Sequence, residues 1–211
     1  MTRVSHEFDV LLFDLGGVLI DFRGFEALNR VFENRYDASQ IRSRWLACTA
    51  VTDFECGRIA PAVFAERFVA QWELDWSPAH FLETFASWVT PLTDEATALL
   101  AGVRGDFHLA CLSNCNEVHW AEIGASRGHF DSAFLSFEMG VAKPDSRIFE
   151  QAVAALGVPP DRIRFFDDTE ENLHAARALG IRGELVRGLD DLATRLSRAS
   201  QPPGSSAKPA R

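Results

Sequence analysis

Four short segments gather the residue types needed to move a phosphoryl group. Asp14 stands in FDLGGVL with Gly16 and Gly17 close behind it, Ser113 and Asn114 stand in LSNCN, Lys143 stands in AKPDSRIF, and Asp167, Asp168 and Asn172 stand in FFDDTEEN. Together they offer carboxylates, a hydroxyl, a lysine and loop amides. A carboxylate that attacks an anionic phosphate needs a hard cation to screen the repulsion between them. Magnesium takes oxygen ligands, keeps several waters and is held by one or two carboxylates plus the substrate phosphate, which Asp14 and Asp168 can supply. Ser113 and a loop N–H then bind phosphate oxygens, while Lys143 offsets the charge spread over the transferring group. Asp167 and Asp168, adjacent at an apolar strand end, repel each other unless a cation or donors intervene, which points the same way.

Each segment alone has a plainer reading. Asp followed by glycines is turn chemistry, Ser and Asn cap helices, and most lysines are solvated. One turn does not explain four coordinated loops in series. His108, His119, His129 and His174 lack the paired spacing of a zinc site and are expected to be structural or exposed.

The elements that must position these loops are legible from periodicity. Apolar runs of strand length occur at Phe8 to Phe13, from Phe107 (FHLACL), from Ser132 (SAFLS), from Arg162 (RIRFF) and from Gly183 (GELV). From residue 95 onward they alternate with helical segments, the pattern of a parallel sheet wrapped by helices. In such a sheet the carboxyl ends of the strands converge on one crevice, so the four loops belong together. Ile148, Phe149, Ala152 and Leu156 share a helical face that stops at Gly157, and Leu173, Ala176 and Leu179 repeat the plan before Gly180.

Between the first strand and this series, Arg23 to Val89 shows helical spacing and little strand character. Phe25, Leu28 and Phe32 share one face, as do Phe64, Phe68 and Trp72, and again Phe81, Phe85 and Trp88. These aromatics read first as core. Trp45, Trp72, Trp76 and Trp88 all fall here, so some can line a substrate cavity. The expected organisation is an α/β core over 7–22 and 91–197, a helical insert over 23–90, and a disordered tail over 198–211, RASQPPGSSAKPAR.

Composition narrows the function classes. The 211 residues, 47% hydrophobic and 24% charged, suit a globular chain of one full domain with a smaller insert. A net charge of -9 repels nucleic acid and anionic membrane surfaces but leaves room for a small anion in a local basic pocket. No run of about 18 apolar residues is present and MTRVSHEFDV lacks the pattern of a signal peptide, so a cytoplasmic location is expected. Cys48, Cys56, Cys111 and Cys115 form no C-x2-C pair and read as reduced thiols.

In order and content the four segments resemble the haloacid dehalogenase superfamily, specifically its phosphatase branches with a helical cap inserted after the first strand, over about residues 7 to 187. FDLGGV, LSN, KPD and FFDD look closest to the bacterial sugar-phosphatase group that includes alpha-D-glucose-1-phosphate phosphatase. The insert also carries a similar E-x-G-x-I turn, Glu55 to Ile59, followed by a helix containing Phe64. The resemblance implies a Rossmann-like three-layer core with a parallel sheet and an all-helical cap. It makes Asp14 the nucleophile that becomes an aspartyl-phosphate. The Gly16 carbonyl becomes a magnesium ligand beside Asp14 and Asp168. Ser113 becomes the phosphate-binding hydroxyl, with Gly16, Gly17 and Asn114 in the surrounding phosphate-binding loops. Lys143 then steadies nucleophile and phosphate, and Asp167 and Asn172 support the ligands from behind.

One departure matters. Many phosphatases of this superfamily carry an aspartate general acid two residues after the nucleophile, where this chain has Gly16, as does the group it resembles. General acid-base help is worth roughly 10²- to 10⁴-fold, about 3 to 5 kcal/mol of barrier. A poor alkoxide leaving group therefore suffers more than an anomeric or acyl phosphate unless another group protonates it. Asp21 and Glu55 are candidate replacement acids, and Arg58 a candidate substrate contact. The expected function is a magnesium-dependent phosphatase for a small phosphorylated metabolite such as a sugar phosphate, with oligomeric state left open. Two alternatives stand beside it. One is a 2-haloacid dehalogenase-type hydrolase, which needs no metal. The other is a weakened phosphate- or partner-binding protein, in which equal binding of ground and transition state gives no acceleration.

Overall fold

The computed structural model of the chain describes residues 6–199. Its sheet has five strands in the order β3-β2-β1-β4-β5. These are β1 Val10–Phe13, β2 His108–Ser113, β3 Ser132–Leu135, β4 Ile163–Asp167 and β5 Arg182–Leu185, and every neighbouring pair is parallel. The three inner strands, β2, β1 and β4, are apolar and buried almost throughout because helices cover both faces. On one face Leu11, Phe13, Leu109, Cys111 and Phe166 pack together with Leu100 and Leu192. On the other, Val10, Leu12, Ala110, Leu112 and Phe165 pack with Ile148, Phe149 and Leu173. Successive residues of a strand point to opposite faces, which assigns the two sets.

Five helices lie between β1 and the rest of the core: α1 Gly24–Val31, α2 Ala38–Leu46, α3 Thr49–Glu55, α4 Pro61–Trp72 and α5 Pro78–Ala86. Then follow α6 Asp94–Val103, α7 Glu117–Glu122, α8 Ser136–Met139, α9 Ser146–Leu156, α10 Glu170–Ala178 and α11 Gly188–Ala199. Helix starts follow local chemistry: Asp37 and Gln40 form a reciprocal capping box on α2, and Pro61 opens α4 where its missing N–H costs nothing. Gly157 ends α9 at φ +68°, a left-handed position that favours glycine.

The five inserted helices own a separate aromatic core. Phe64, Phe68 and Trp72 share a face of α4; Phe64 stacks on Phe54 and meets Phe85 edge-on, and Phe68 stacks on Phe81 and on Trp72, all buried. Burying each such ring contributes about 1.5 to 3 kcal/mol relative to leaving it exposed. The predicted face Phe25, Leu28, Phe32 is buried only at Leu28, with both phenylalanines half-exposed at the edge of the cluster.

Strand boundaries fall within a residue or two of the expected runs. Arg162 belongs to a 3₁₀ turn rather than to β4, with its guanidinium on Asp9 at 2.7 Å. Helix α11 continues to Ala199, so the first two residues of the expected tail are helical, and the remainder of that expectation, 200–211, lies outside the described residues. Among the described residues no helix is long and apolar enough to cross a membrane. All four cysteines are buried and free, and burial pushes the Cys111 and Cys115 thiols up to about 12.

Candidate active site

Register brings the loops level. Phe13 pairs with Cys111 on one side and Phe166 on the other, so Asp14 leaves the sheet beside the ends of β2 and β4. The Asp14 N–H donates to the Phe166 carbonyl at 2.8 Å, fixing the backbone, and the Leu15 N–H donates to Asp14 Oδ1 at 2.7 Å, fixing the carboxylate. The chain then turns sharply, with the Leu15 carbonyl accepting from Leu19 and Ile20 at 2.9 and 2.8 Å. Gly17 sits at φ +76°, and a Cβ there would come within 2.5 Å of Asp168 Oδ2, so both torsion and space require glycine. A Cβ at Gly16 meets nothing within 4 Å among the described residues, and position 16 opens into free space.

Lys143 is the hub. Its ammonium contacts Asp14 Oδ1 at 2.9 Å and Asp167 Oδ2 at 2.7 Å, with only 1% of its side chain exposed. Asn114 clamps the lysine's backbone, accepting from its N–H at 2.8 Å and donating to its carbonyl at 2.9 Å. Asp167 is fully buried and also accepts from the Thr169 N–H at 2.8 Å and from Asn172 Nδ2 at 3.0 and 3.1 Å. Donors thus answer the repulsion at the double aspartate. Asp168, one residue on, is exposed and accepts from the Thr169 hydroxyl at 2.9 Å.

Burial pushes the Asp14 carboxyl up, Lys143 pulls it back, and Asp167 and Asp168 push again, leaving it above the usual carboxylate range. Burial works against the Lys143 ammonium, but Asp14 and Asp167 more than offset it and hold it above the usual lysine range. The lysine is therefore a fixed positive charge. One oxygen from each of Asp14, Asp167 and Asp168 lies within 4.8 Å of the others. Three carboxylates against one ammonium leave two negative charges in an all-oxygen donor set, the complement of a hard divalent cation.

These groups line one cavity of about 400 Å³. Its core wall carries Asp14, Gly16, Ser113, Lys143, Asp168 and Asn172, and its opposite wall, from the inserted helices and the segment leading into them, carries Phe22, Phe25, Arg42, Trp45 and Glu55. Asp14, Gly16, Gly17, Ser113, Asn114, Lys143, Asp168 and Asn172, singled out in the sequence, thus meet at one place, with Asp167 fully buried behind Lys143. The Asn114 side chain, in a segment expected on phosphate, is engaged by the Lys143 backbone, satisfying its carbonyl and its amide together. The Gly17 N–H, also expected on phosphate, donates to the Ile20 carbonyl at 2.9 Å and closes the turn. Arg58 turns to Asp53 at 3.3 Å. Of the four tryptophans, Trp45 lines the cavity, while Trp72 and Trp88 are core.

Sequence reasoning missed Arg42, whose guanidinium reaches the Thr169 hydroxyl at 3.1 Å across 127 residues. Only the three-dimensional seating of the insert on the core brings them together. His119 is a buried side chain of the cavity lining, its Nδ1 on Asn116 at 3.1 Å and its Nε2 on the Phe85 carbonyl at 2.8 Å.

The fold is a parallel sheet covered by helices, with an acidic cluster at the strand ends. Residues 8–180 match the haloacid dehalogenase-like hydrolase family, and the chain belongs to it. It is 28% identical over 182 residues to the pyrimidine 5'-nucleotidase YjjG of Escherichia coli K12, covering 79% of this chain and 80% of that one. It is 24% identical over 183 residues to the D-ribitol-5-phosphate phosphatase of Bacteroides thetaiotaomicron, covering 81% and 87%. With the phosphoserine phosphatase of Thermus thermophilus, identity is 37% over 105 residues, and the match spans 42% of that relative's length and 47% of this chain. A crystal structure of a haloacid dehalogenase family enzyme from Bacteroides thetaiotaomicron with magnesium and inorganic phosphate superposes with a TM-score of 0.71 at 26% identity, covering 84% of this chain and 93% of that one. An L-2-haloacid dehalogenase from Xanthobacter autotrophicus superposes with a TM-score of 0.61 at 20% identity, covering 90% and 83%, a likeness of fold alone.

Proposed function

We propose that this hydrolase is a magnesium-dependent phosphatase acting on a small phosphorylated metabolite, a sugar phosphate being the favoured class, through an aspartyl-phosphate on Asp14. The observation that carries the reading is the Asp14 carboxylate held on the buried Lys143 ammonium at 2.9 Å in a cavity it shares with Asp168. Asp14, Asp168 and the backbone carbonyl of Gly16 are the groups that would hold magnesium, which when bound screens the charge between carboxylate and phosphate and polarises the phosphoryl oxygens.

In the first half-reaction an Asp14 oxygen attacks phosphorus in line, the ester P–O bond breaks and the leaving alkoxide takes a proton from solvent or from a side chain of the cavity. In the second, water attacks phosphorus, the bond to Asp14 breaks, and phosphate and the free carboxylate result. Lys143 keeps Asp14 aimed and offsets charge on the transferring group, while the Ser113 hydroxyl binds a phosphate oxygen. Asp167, Asn172 and Asn114 act through Lys143, holding its ammonium and its backbone in place. The inserted helices act as a cap whose aromatic wall excludes water and selects the organic part of the substrate. The phosphatase and nucleotidase relatives, and the magnesium and phosphate bound by a structural relative, support the class.

A dehalogenase needs no cation, whereas Asp14, Asp167 and Asp168 gathered within 4.8 Å suit one; that observation favours phosphate chemistry. Phosphate release from p-nitrophenyl phosphate and glucose 1-phosphate, each with magnesium and with chelator, tests the reading. Metal-dependent release is the expected result, and metal-independent release of halide from a 2-haloacid would overturn it.

Because a raised Asp14 holds a proton that competes with the cation, magnesium binding strengthens as pH rises. The expected result is a larger magnesium-induced rise in melting temperature at pH 8 than at pH 6, read by calorimetry; equal shifts would contradict it. Gly17→Ala forces a side chain into a left-handed position against Asp168. We expect it to destabilise the fold by about 1 to 2 kcal/mol from torsion alone, and to weaken magnesium activation by displacing that carboxylate. Urea unfolding beside a magnesium titration of activity checks both.

A further inference from the structure

If the phosphatase reading holds, the leaving alcohol still needs a proton that position 16 does not supply. The cavity holds two carboxyls besides Asp14 and Asp168, namely Asp21 and Glu55. Asp21 is exposed and paired with Arg23 at 2.8 Å. His119 has both ring nitrogens engaged, and burial holds its imidazole down to about 4, so it stays neutral with its proton committed.

Glu55 differs on each count. It ends α3 half-buried at the cavity wall, on the same lining as Trp45. The turn that carries it is seated on the core: Gly57, at φ +65°, packs so closely on the Phe137 carbonyl of α8 that a Cβ there would collide with it. The open space at Gly16 leaves room beside the nucleophile for a group coming from the opposite wall. Burial pushes Glu55 up to about 7, Trp45 and Lys143 pull it down, and Asp14 pushes it up, so both protonation states are populated near neutrality. Cys56, the next residue, and Cys115 of the cavity lining are thiols that burial raises, so they stay protonated.

We propose that Glu55, carried by the helical insert, replaces the missing core acid: it protonates the leaving alkoxide and then takes a proton from the water that attacks the aspartyl-phosphate. In the first step the Glu55 O–H bond breaks and an alcohol O–H bond forms as the ester P–O bond cleaves. In the second, water's proton returns to Glu55 as its oxygen bonds to phosphorus, so the enzyme is regenerated. The substrate class thereby extends to alkyl phosphates with poor leaving groups, which the core alone would turn over slowly.

The test is kcat/KM of the magnesium-loaded full chain and of Glu55→Gln across p-nitrophenyl phosphate, phenyl phosphate and glycerol 1-phosphate. Glu55→Gln should lower the glycerol phosphate value about 10²- to 10⁴-fold and the p-nitrophenyl value less than about tenfold. The fall of kcat/KM for glycerol phosphate as pH rises through about 7 should disappear in the variant. In Glu55→Ala, added acetate should restore part of the alkyl phosphate turnover. Equal losses on all three substrates, or no loss, with the wild type active, would overturn the role of Glu55 and leave the phosphatase reading intact. A wild type inactive on every phosphate ester would overturn both.

Discussion

Asp14→Asn lowers phosphate release by on the order of 10⁴- to 10⁶-fold, by analogy with the loss on removing other covalent nucleophiles. Asparagine matches the carboxyl in shape and keeps an oxygen for the Leu15 N–H, so the turn from Leu15 to Ile20 survives. What it lacks is the charged oxygen that bonds to phosphorus. Full retention of structure by circular dichroism, with steady-state release from p-nitrophenyl phosphate falling below a ten-thousandth of wild type, is the expected pair of readings. A variant retaining a tenth of its activity would remove Asp14 from the chemistry.

Lys143→Met is expected to damage stability as well as rate. The ammonium is almost wholly enclosed and contacts both Asp14 and Asp167, so methionine leaves two buried carboxyls without their common partner. Breaking a buried pair by removing one member costs about 3 to 5 kcal/mol, because the remaining charge is uncompensated. The sign of the pH dependence follows from Asp14. Its carboxyl is already raised by burial, and without the lysine it rises further, so the folded state binds the proton more tightly than the unfolded state does. A group raised in this way loses stability as pH climbs from its unfolded value toward its folded one. Wild-type Asp14 is already raised to about 7, so the Asp14 part of the deficit relative to wild type should stay flat from pH 4 to about 7 and grow as pH rises above 7, in urea unfolding of metal-free protein. Activity should fall about 10²- to 10³-fold, the usual cost of losing one donor aimed at developing charge. A deficit independent of pH would show that the lysine is not coupled to Asp14.

The sheet was legible because its inner strands are buried on both faces and so appear as continuous apolar runs, each ending in a polar segment. Phe13 to Asp14 and Phe166 to Asp167 show the change of character in a single residue. The helical faces at Phe64, Phe68 and Trp72, and at Ile148, Phe149 and Ala152, were equally plain from spacing. The assembly of Asp14, Lys143 and Asp168 followed from a rule of parallel sheets rather than from any local signal. Less legible was the division of labour. That Asn114 would grip the Lys143 backbone, and that the Gly17 N–H would close its own turn, depends on side-chain and turn geometry that residue type does not encode. The insert's share of the site was legible only in part, at Glu55 and among the tryptophans. Arg42, Phe25 and Glu55 reach the cavity through the seating of one layer on another, with Gly57 against Phe137 as one of its contacts. Such long-range packing leaves no periodic trace in the chain.

The account turns on a covalent bond between Asp14 and phosphorus. Acid quenching of a magnesium-loaded reaction within a turnover, followed by borohydride reduction and peptide mass spectrometry, tests it directly. Borohydride reduces an acyl phosphate to an alcohol, so the predicted result is homoserine in place of Asp14 in the peptide from β1 and its loop, dependent on substrate and absent in Asp14→Asn. Sustained phosphate release with no reduced Asp14 under quench conditions that trap a known acyl phosphate would contradict it.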